Sequence, residues 1–484
     1  METQELQPKA VFDCFAQVNR IPRPSKKEEK MIDFLKKFGE GLGLPTKVDD
    51  AGNVLISKHA TPGYENLKTV VLQSHMDMVC EKNADSAFDF MNDAIETYVD
   101  GDWLKAKGTT LGADDGIGVA MQMAILQAKD IEHGPIECLF TRDEETGLTG
   151  ASALQPNFMT GDFLINLDSE DEGQIFVSCA GGARTSATFD YTEVPVPEDY
   201  FTFRVEVKGL TGGHSGDDIN KKRANANKLL VRFLLNAFRK YDLYLIDIQS
   251  GGLHNAIPRE GYALCAVPMA DKEQIRVDLN LLAAEVEEEY SRTEPQIKFT
   301  LESVQTTPDA IDKDTTRRLL LSLQAMDNGV FAMSQDLDWL VETSSNLASV
   351  QKKEGKIIIN SSQRSSVASA RENMCATVRA VFELAGADVV TNEGYPGWKM
   401  NPDSELLKVA VDSYKRLFSA GPKILAIHAG LECGLFSEKY PHLDMISIGP
   451  TLRGVHSPEE RLYIPSVLKV WEHLLDVLKN IPAA

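Results

Sequence analysis

At 484 residues the chain is too long for one compact core, so two or three domains are expected. Apolar residues at 43% and charged residues at 25% are the balance of a water-soluble globular protein. A formal charge of −22 argues against a nucleic-acid partner and against an anionic membrane surface, because no basic face is left to neutralise phosphates. Most of that acidity is read as serving solubility.

The N-terminus, Met1-Glu2-Thr3-Gln4-Glu5-Leu6-Gln7, lacks the basic-then-apolar order of a signal peptide. No apolar run is long enough to span a bilayer. The cysteines (Cys14, Cys80, Cys138, Cys179, Cys265, Cys375 and Cys433) are scattered, odd in number and free of CxxC spacing. They read as reduced thiols in a cytoplasmic protein.

In chain order, Ser25-Lys26-Lys27-Glu28 has capping-box spacing, and Ile32, Leu35 and Phe38 follow at helical intervals. Gly41 and Gly43 mark the helix end. Short apolar strands are predicted at Val70–Ser74, Ile136–Phe140 and Phe163–Leu167, with a helix over Ile117–Ala128. This alternation, continuing to about residue 185, is the pattern of an α/β unit with a mainly parallel sheet.

The texture changes after Val194-Pro195-Val196-Pro197. Phe201, Phe203, Val205 and Val207 alternate with polar residues, as do Ile297, Phe299 and Leu301, predicting strands with one wet face. Helices are predicted over Ala224–Phe238 and Ile275–Tyr290. This middle region reads as an α+β insert with an antiparallel sheet. The first texture returns near Gly394-Tyr395-Pro396-Gly397, with helices over Glu405–Phe418 and Ser466–Leu478.

Acids and histidines cluster just past the strands of the first texture. They are His75 and Asp77, Asp114-Asp115, Glu144-Glu145, Asp168 and, near the C-terminus, His456. Ligands gather at the carboxyl ends of strands in open parallel sheets. Each feature alone has an ordinary reading: a histidine satisfied by its neighbouring acid, a solvated turn, a solvated charge run. Together the strand ends imply one metal site. Adjacent carboxylates repel unless cations offset them. Two histidines with several carboxylates suit zinc, or manganese or cobalt. Two metals about 3.5–4 Å apart need a bridging carboxylate and water, with a further carboxylate to take the proton.

These residues, in this order, resemble the M20 family of di-zinc aminopeptidases and carboxypeptidases, and within it the Xaa-His (aminoacyl-histidine) dipeptidases or bacterial carnosinases. The likeness runs over nearly the whole chain. It is carried by Leu72-Gln73-Ser74-His75-Met76-Asp77, Gly112-Ala113-Asp114-Asp115-Gly116, Asp143-Glu144-Glu145-Thr146-Gly147, Asn166-Leu167-Asp168, Cys179-Ala180-Gly181-Gly182 and His428-Ala429-Gly430-Leu431-Glu432.

The resemblance implies an α/β fold: a mainly parallel-sheet, di-zinc catalytic domain (1–190 and 393–484) interrupted by an α+β lid and dimerisation domain (191–392). It makes His75 and Asp168 ligands of one zinc, Glu145 and His456 ligands of the other, and Asp114 the bridge. Asp77 would orient His75, and Glu144 would be the general base. A cis peptide is implied at Asp114-Asp115. In the lid, His214 of the segment Gly212-Gly213-His214-Ser215 would stabilise the oxyanion, and Asn255 and Arg364 would hold the substrate carboxylate; Gly430, in the catalytic domain, is expected to bind substrate. An arginine fork suits a planar anion. His428 borders the same match and is expected near the pocket.

The function expected is hydrolysis of unblocked dipeptides such as Xaa-His, β-Ala-His included, by a cytoplasmic enzyme that forms a homodimer through its lid. The alternatives are an N-acyl amino-acid deacylase or carboxypeptidase on the same scaffold, and a non-catalytic peptide-binding relative.

Overall fold

The structure, a computed structural model, describes residues 6–305, 308–335 and 337–484. It divides into two compact units. The first comprises Met1–Ser178, Trp398–Ala426 and Leu431–Ala484, and the second Cys179–Gly397 and Ile427–Gly430.

The first unit is built on an eight-stranded sheet ordered Thr46–Val48, Val54–Lys58, Ile136–Thr141, Val70–His75, Phe163–Asn166, Asp444–Ser447, Gln174–Cys179 and Lys423–Ile427. The centre of the sheet, from Ile136–Thr141 to Asp444–Ser447, runs parallel. Antiparallel strands flank that centre, Val54–Lys58 on one side and Gln174–Cys179 on the other. Every residue of Val70–His75 and Ile136–Thr141 is buried, as expected for central parallel strands covered on both faces. Helices cover the sheet, Lys9–Val18 packing on Ala113–Gln127 and Glu405–Phe418 on Ile464–Lys479.

Local signals are partly overridden. The capping box at Ser25 does not form: the helix runs Glu29–Gly41 without a side-chain cap. Ser25 instead gives its hydroxyl to Asp77, at 2.8 Å. The helix predicted from Ile117 lies within Ala113–Gln127, but Asp114 (ψ 111°) and Asp115 (φ −103°, ψ 33°) are not helical, so the regular helix follows that pair as expected. A small four-stranded sheet joins Leu452–Arg453 and Arg461–Tyr463 to Trp103–Ala106 and Thr97–Asp100. His456 lies in the loop between the first two of these strands.

The second unit has its own core and a nine-stranded sheet. Its strands pair antiparallel, among them Tyr200–Lys208 with Gly261–Pro268 and Val341–Lys353 with Lys356–Ser365. Phe201, Phe203, Val205 and Val207 all point into the core, as their alternation predicts. Helices Ala226–Lys240, Lys272–Glu289, Lys313–Ala325 and Ala368–Leu384 fill that core. Gly181–Asp190 pairs with Lys356–Ser365, so this sheet begins ahead of the change in texture at Val194.

Candidate functional site

In the first unit, the ends of neighbouring parallel strands, the turn at the start of the Ala113–Gln127 helix and a C-terminal loop deliver the acids and histidines to one place. His75 ends its strand and is 1% exposed. Its Nε2 lies 3.0 Å from Asp114 Oδ1 and 3.4 Å from Asp168 Oδ1. His456, from the C-terminal loop, places Nε2 3.1 Å from the other Asp114 oxygen, Oδ2, and 3.0 Å from Glu145 Oε2. Asp114 thus gives one oxygen to each histidine. The Asp114-Asp115 peptide is cis. The structure brings together His75, Asp114, Glu145, Asp168 and His456.

Asp77 organises the side of the site behind His75. Its Oδ1 lies 3.3 Å from His75 Nδ1 and accepts from the Glu144 amide at 3.0 Å. Its Oδ2 accepts from Ser25 and, at 3.3 Å, from the Glu145 amide. Asp143, in the left-handed region at φ 52°, turns the chain so that both following amides face Asp77. Thr146 and Thr149 hydroxyls hold the Asp143 carboxylate in that turn.

In the second unit, His214 lies on a short strand paired with Ala256–Ile257, next to the exposed Asn255. His214 Nδ1 accepts from the Gly216 and Asp217 amides, which leaves Nε2 facing Arg364 Nη2 at 3.5 Å. Arg364 is buried and donates from Nη1 to the Tyr395 hydroxyl at 2.9 Å, while its Nε finds no acceptor. Gly430 meets the face of the same tyrosine: a Cβ there would stand 2.6 Å from Tyr395 Cε2. His428 is bonded through Nε2 to Ser344 at 2.7 Å, and burial followed by the Arg364 charge lowers its pKa to about 3. It is therefore a neutral histidine.

The profile of Peptidase family M20/M25/M40 matches residues 71–480. The chain belongs to this family. It is 41% identical over 482 residues to the cytosol non-specific dipeptidase of Escherichia coli K12, covering 100% of this chain and 99% of that one. Among solved structures it resembles the aminoacylhistidine dipeptidase of Vibrio alginolyticus at TM-score 0.94 and 41% identity, over 100% of this chain and 99% of that one. A Staphylococcus aureus tripeptidase shares the fold at TM-score 0.57 and 17% identity, covering 98% of this chain and 99% of that chain.

The site of this M20 peptidase is electrostatically incomplete without cations. Burial pushes Glu144 well above the usual carboxylate range and raises Asp168 to about 7. The bonds from Asp114 and Glu145 pull His456 up to about 11. Burial opposes charge on His75, yet Asp168 and Asp114 outweigh it and raise its pKa well above the ordinary imidazole value. Divalent cations would neutralise the same carboxylates that drive these shifts. Glu145 Oε1 is buried without a hydrogen-bond partner, and His75, Asp114 and Glu145 present ligand atoms within 4.8 Å of one another. The donor set fits metal.

Several supporting residues are not singled out as site residues by the sequence, although Glu432 lies in a segment that carries the resemblance. Arg23 is fully buried and donates to the Asp77 carbonyl at 2.8 Å and to the Gly112 carbonyl at 2.5 Å. Glu432, also buried, accepts from Gln73 at 2.6 Å and from Thr141 at 2.8 Å, beneath the strand ends that bear His75 and Glu144. Glu460 reaches the turn before Asp114. Only chain contacts separated by tens to hundreds of positions reveal what each of these charged side chains holds. No helix among the described residues is long and apolar enough to cross a membrane.

Proposed function

We propose that this peptidase is a di-zinc dipeptidase acting in the cytoplasm on unblocked dipeptides, Xaa-His and β-Ala-His among them. One observation carries the reading: Asp114 divides its two oxygens between two histidines, each with a further carboxylate at hand. That is the arrangement a metal pair sharing one bridging carboxylate requires. The full-length relatives are named dipeptidases, which supports the substrate class.

In this reading His75 and Asp168 would hold one ion and Glu145 and His456 the other, with Asp114 placed to serve both; cobalt or manganese would suit the same donors. Bound there, the ions supply Lewis acidity that polarises the scissile carbonyl and lowers the pKa of water. Asp77 keeps the proton on His75 Nδ1, so Nε2 remains the donating nitrogen. Glu144, whose backbone Asp77 anchors, takes the proton from the attacking water and delivers it to the leaving amine.

On the chemistry of the second unit, Arg364 and Asn255 are assigned to the substrate carboxylate, Gly430 to substrate binding, and His214 to the developing oxyanion. A lid role and homodimer contacts for this unit belong to the same proposal. An elution volume of a single chain would remove the dimer from it.

A substrate panel given to metal-stripped, zinc-reconstituted protein tests the function. It holds β-Ala-His, Ala-His, Gly-Gly, an N-acetylated amino acid and a C-terminally amidated dipeptide. Cleavage of the free dipeptides alone is expected. Cleavage of the acetylated compound instead would make the enzyme a deacylase, and no cleavage would leave a peptide-binding relative.

A further inference from the structure

We propose that Glu460 is a positioning residue of the metal centre, locking the Asp114 turn and the His456 loop to one another before any metal arrives. The inference rests on the metal-site reading above and assigns a task to a residue outside the ligand set.

One carboxylate takes four successive backbone amides. Glu460 Oε2 accepts from Leu111 at 2.8 Å and Gly112 at 3.0 Å, and Oε1 accepts from Ala113 at 2.8 Å and Asp114 at 3.2 Å. The turn is shaped for this, since Gly112 adopts φ 66° and Asp114 and Asp115 keep non-helical backbone angles before the regular helix runs on to Gln127. Successive amides converging in such a turn form a concave anion site, and here the anion is a side chain of the protein itself. Glu460 is 2% exposed, whereas the adjacent Glu459 is exposed.

The side chain comes from the loop that carries His456. That loop is short and tied at its base by Arg453 paired with Arg461. Inside it, the Glu460 amide donates to the Ser457 carbonyl at 3.0 Å and the Ser457 hydroxyl donates to the Gly454 carbonyl at 2.7 Å. His456 itself has φ 61°, and its side chain is 51% exposed. Burial therefore does little to hold its ring. The anchor at Glu460 does: it fixes the loop against the very residue, Asp114, that His456 must share. On the opposite side of the turn, Arg23 links the Gly112 carbonyl to the Asp77 carbonyl. The Asp114 turn is thereby clamped toward both histidines. An ordinary helix cap, a small polar residue next to the turn, would satisfy one or two of these amides at most. It would not join the two arms.

The test is Glu460→Gln, which keeps size and shape but turns an NH2 toward amide donors. Zinc affinity of the stripped protein is expected to fall roughly 10–100-fold, as when groups that orient metal ligands are removed. Cobalt-substituted protein should show an altered d–d absorption spectrum. On zinc-saturated protein kcat should fall while KM for β-Ala-His holds. Native zinc affinity and a native cobalt spectrum in a folded Glu460→Gln protein would overturn the proposal. Wild-type protein that binds no zinc would instead overturn the metal-site reading beneath it.

Should the variant not fold, hydrogen exchange on the metal-free wild type decides. The amides of Leu111 to Asp114 are expected to be protected without metal, and rapid exchange there would show that no clamp exists.

Discussion

Asp77 has two oxygens and four neighbours: His75, Ser25 and the amides of Glu144 and Glu145. Burial favours its neutral form, but His75 and these donors outweigh it and hold the carboxyl at about 2. It is an anion at any working pH. In Asp77→Asn one of these positions becomes a donor facing a donor, so zinc affinity should drop about 10–100-fold, measurable by competition with a chelator. Glu144→Ala should behave differently, retaining zinc while kcat falls about 10²–10⁴-fold. Near-normal turnover there would remove Glu144 as the base. Thiols give an independent check, since burial pushes Cys14 up to about 12 and Cys80 up to about 11. A raised pKa keeps the thiol protonated, so neither should react with iodoacetamide in native protein at pH 8, and mass mapping reads this. His75, Glu145 and Asp168 stood out because each ends or follows a short apolar strand, and Asp114 because it lies in an acid-bearing turn between Gly112 and Gly116. Glu460 did not, because in Ser457-Pro458-Glu459-Glu460 nothing local separates the buried acid from the exposed one.

Elements were legible where one signal acts without competition. Glu405–Phe418 has the bounds its periodicity predicts, and Ser404 caps it by accepting from the Leu407 amide at 2.9 Å. Ser25 offers the same local signal and fails, because Asp77 takes its hydroxyl for the site. Tertiary demand overrides local propensity there. The turns after the strands are just as tightly specified. A Cβ on Gly449 would lie 1.7 Å from the Ser169 carbonyl oxygen, next to Asp168. Gly449→Ala should therefore cost about 1–3 kcal/mol in denaturant unfolding and weaken zinc binding with it. Unchanged stability and affinity would mean that the turn after Asp168 is free to adjust.

At the scale of the whole molecule, the division into an α/β unit and an antiparallel α+β unit was readable from the change between continuous apolar strands and alternating ones. The place where the second sheet begins was not. Gly181–Asp190 holds Ala187 and Phe189 in the second core, yet it precedes the proline-rich change of texture. Strand pairing with Lys356–Ser365, far along the chain, assigns it. The return of the chain to the first unit also carries the second histidine, which makes the metal centre a product of the complete fold. Metal should accordingly stabilise that fold: zinc at 100 times its Kd adds about 2.7 kcal/mol by mass action, seen as a higher Tm than in chelated protein. The most direct test of the central claim is a zinc titration of stripped protein, reading bound metal and β-Ala-His hydrolysis together, for the wild type and for Asp114→Ala. A centre bridged by Asp114 predicts full activity only at two equivalents per chain, and loss of both the second equivalent and the activity in the variant. Full activity at one equivalent, or two equivalents bound normally without Asp114, would contradict it.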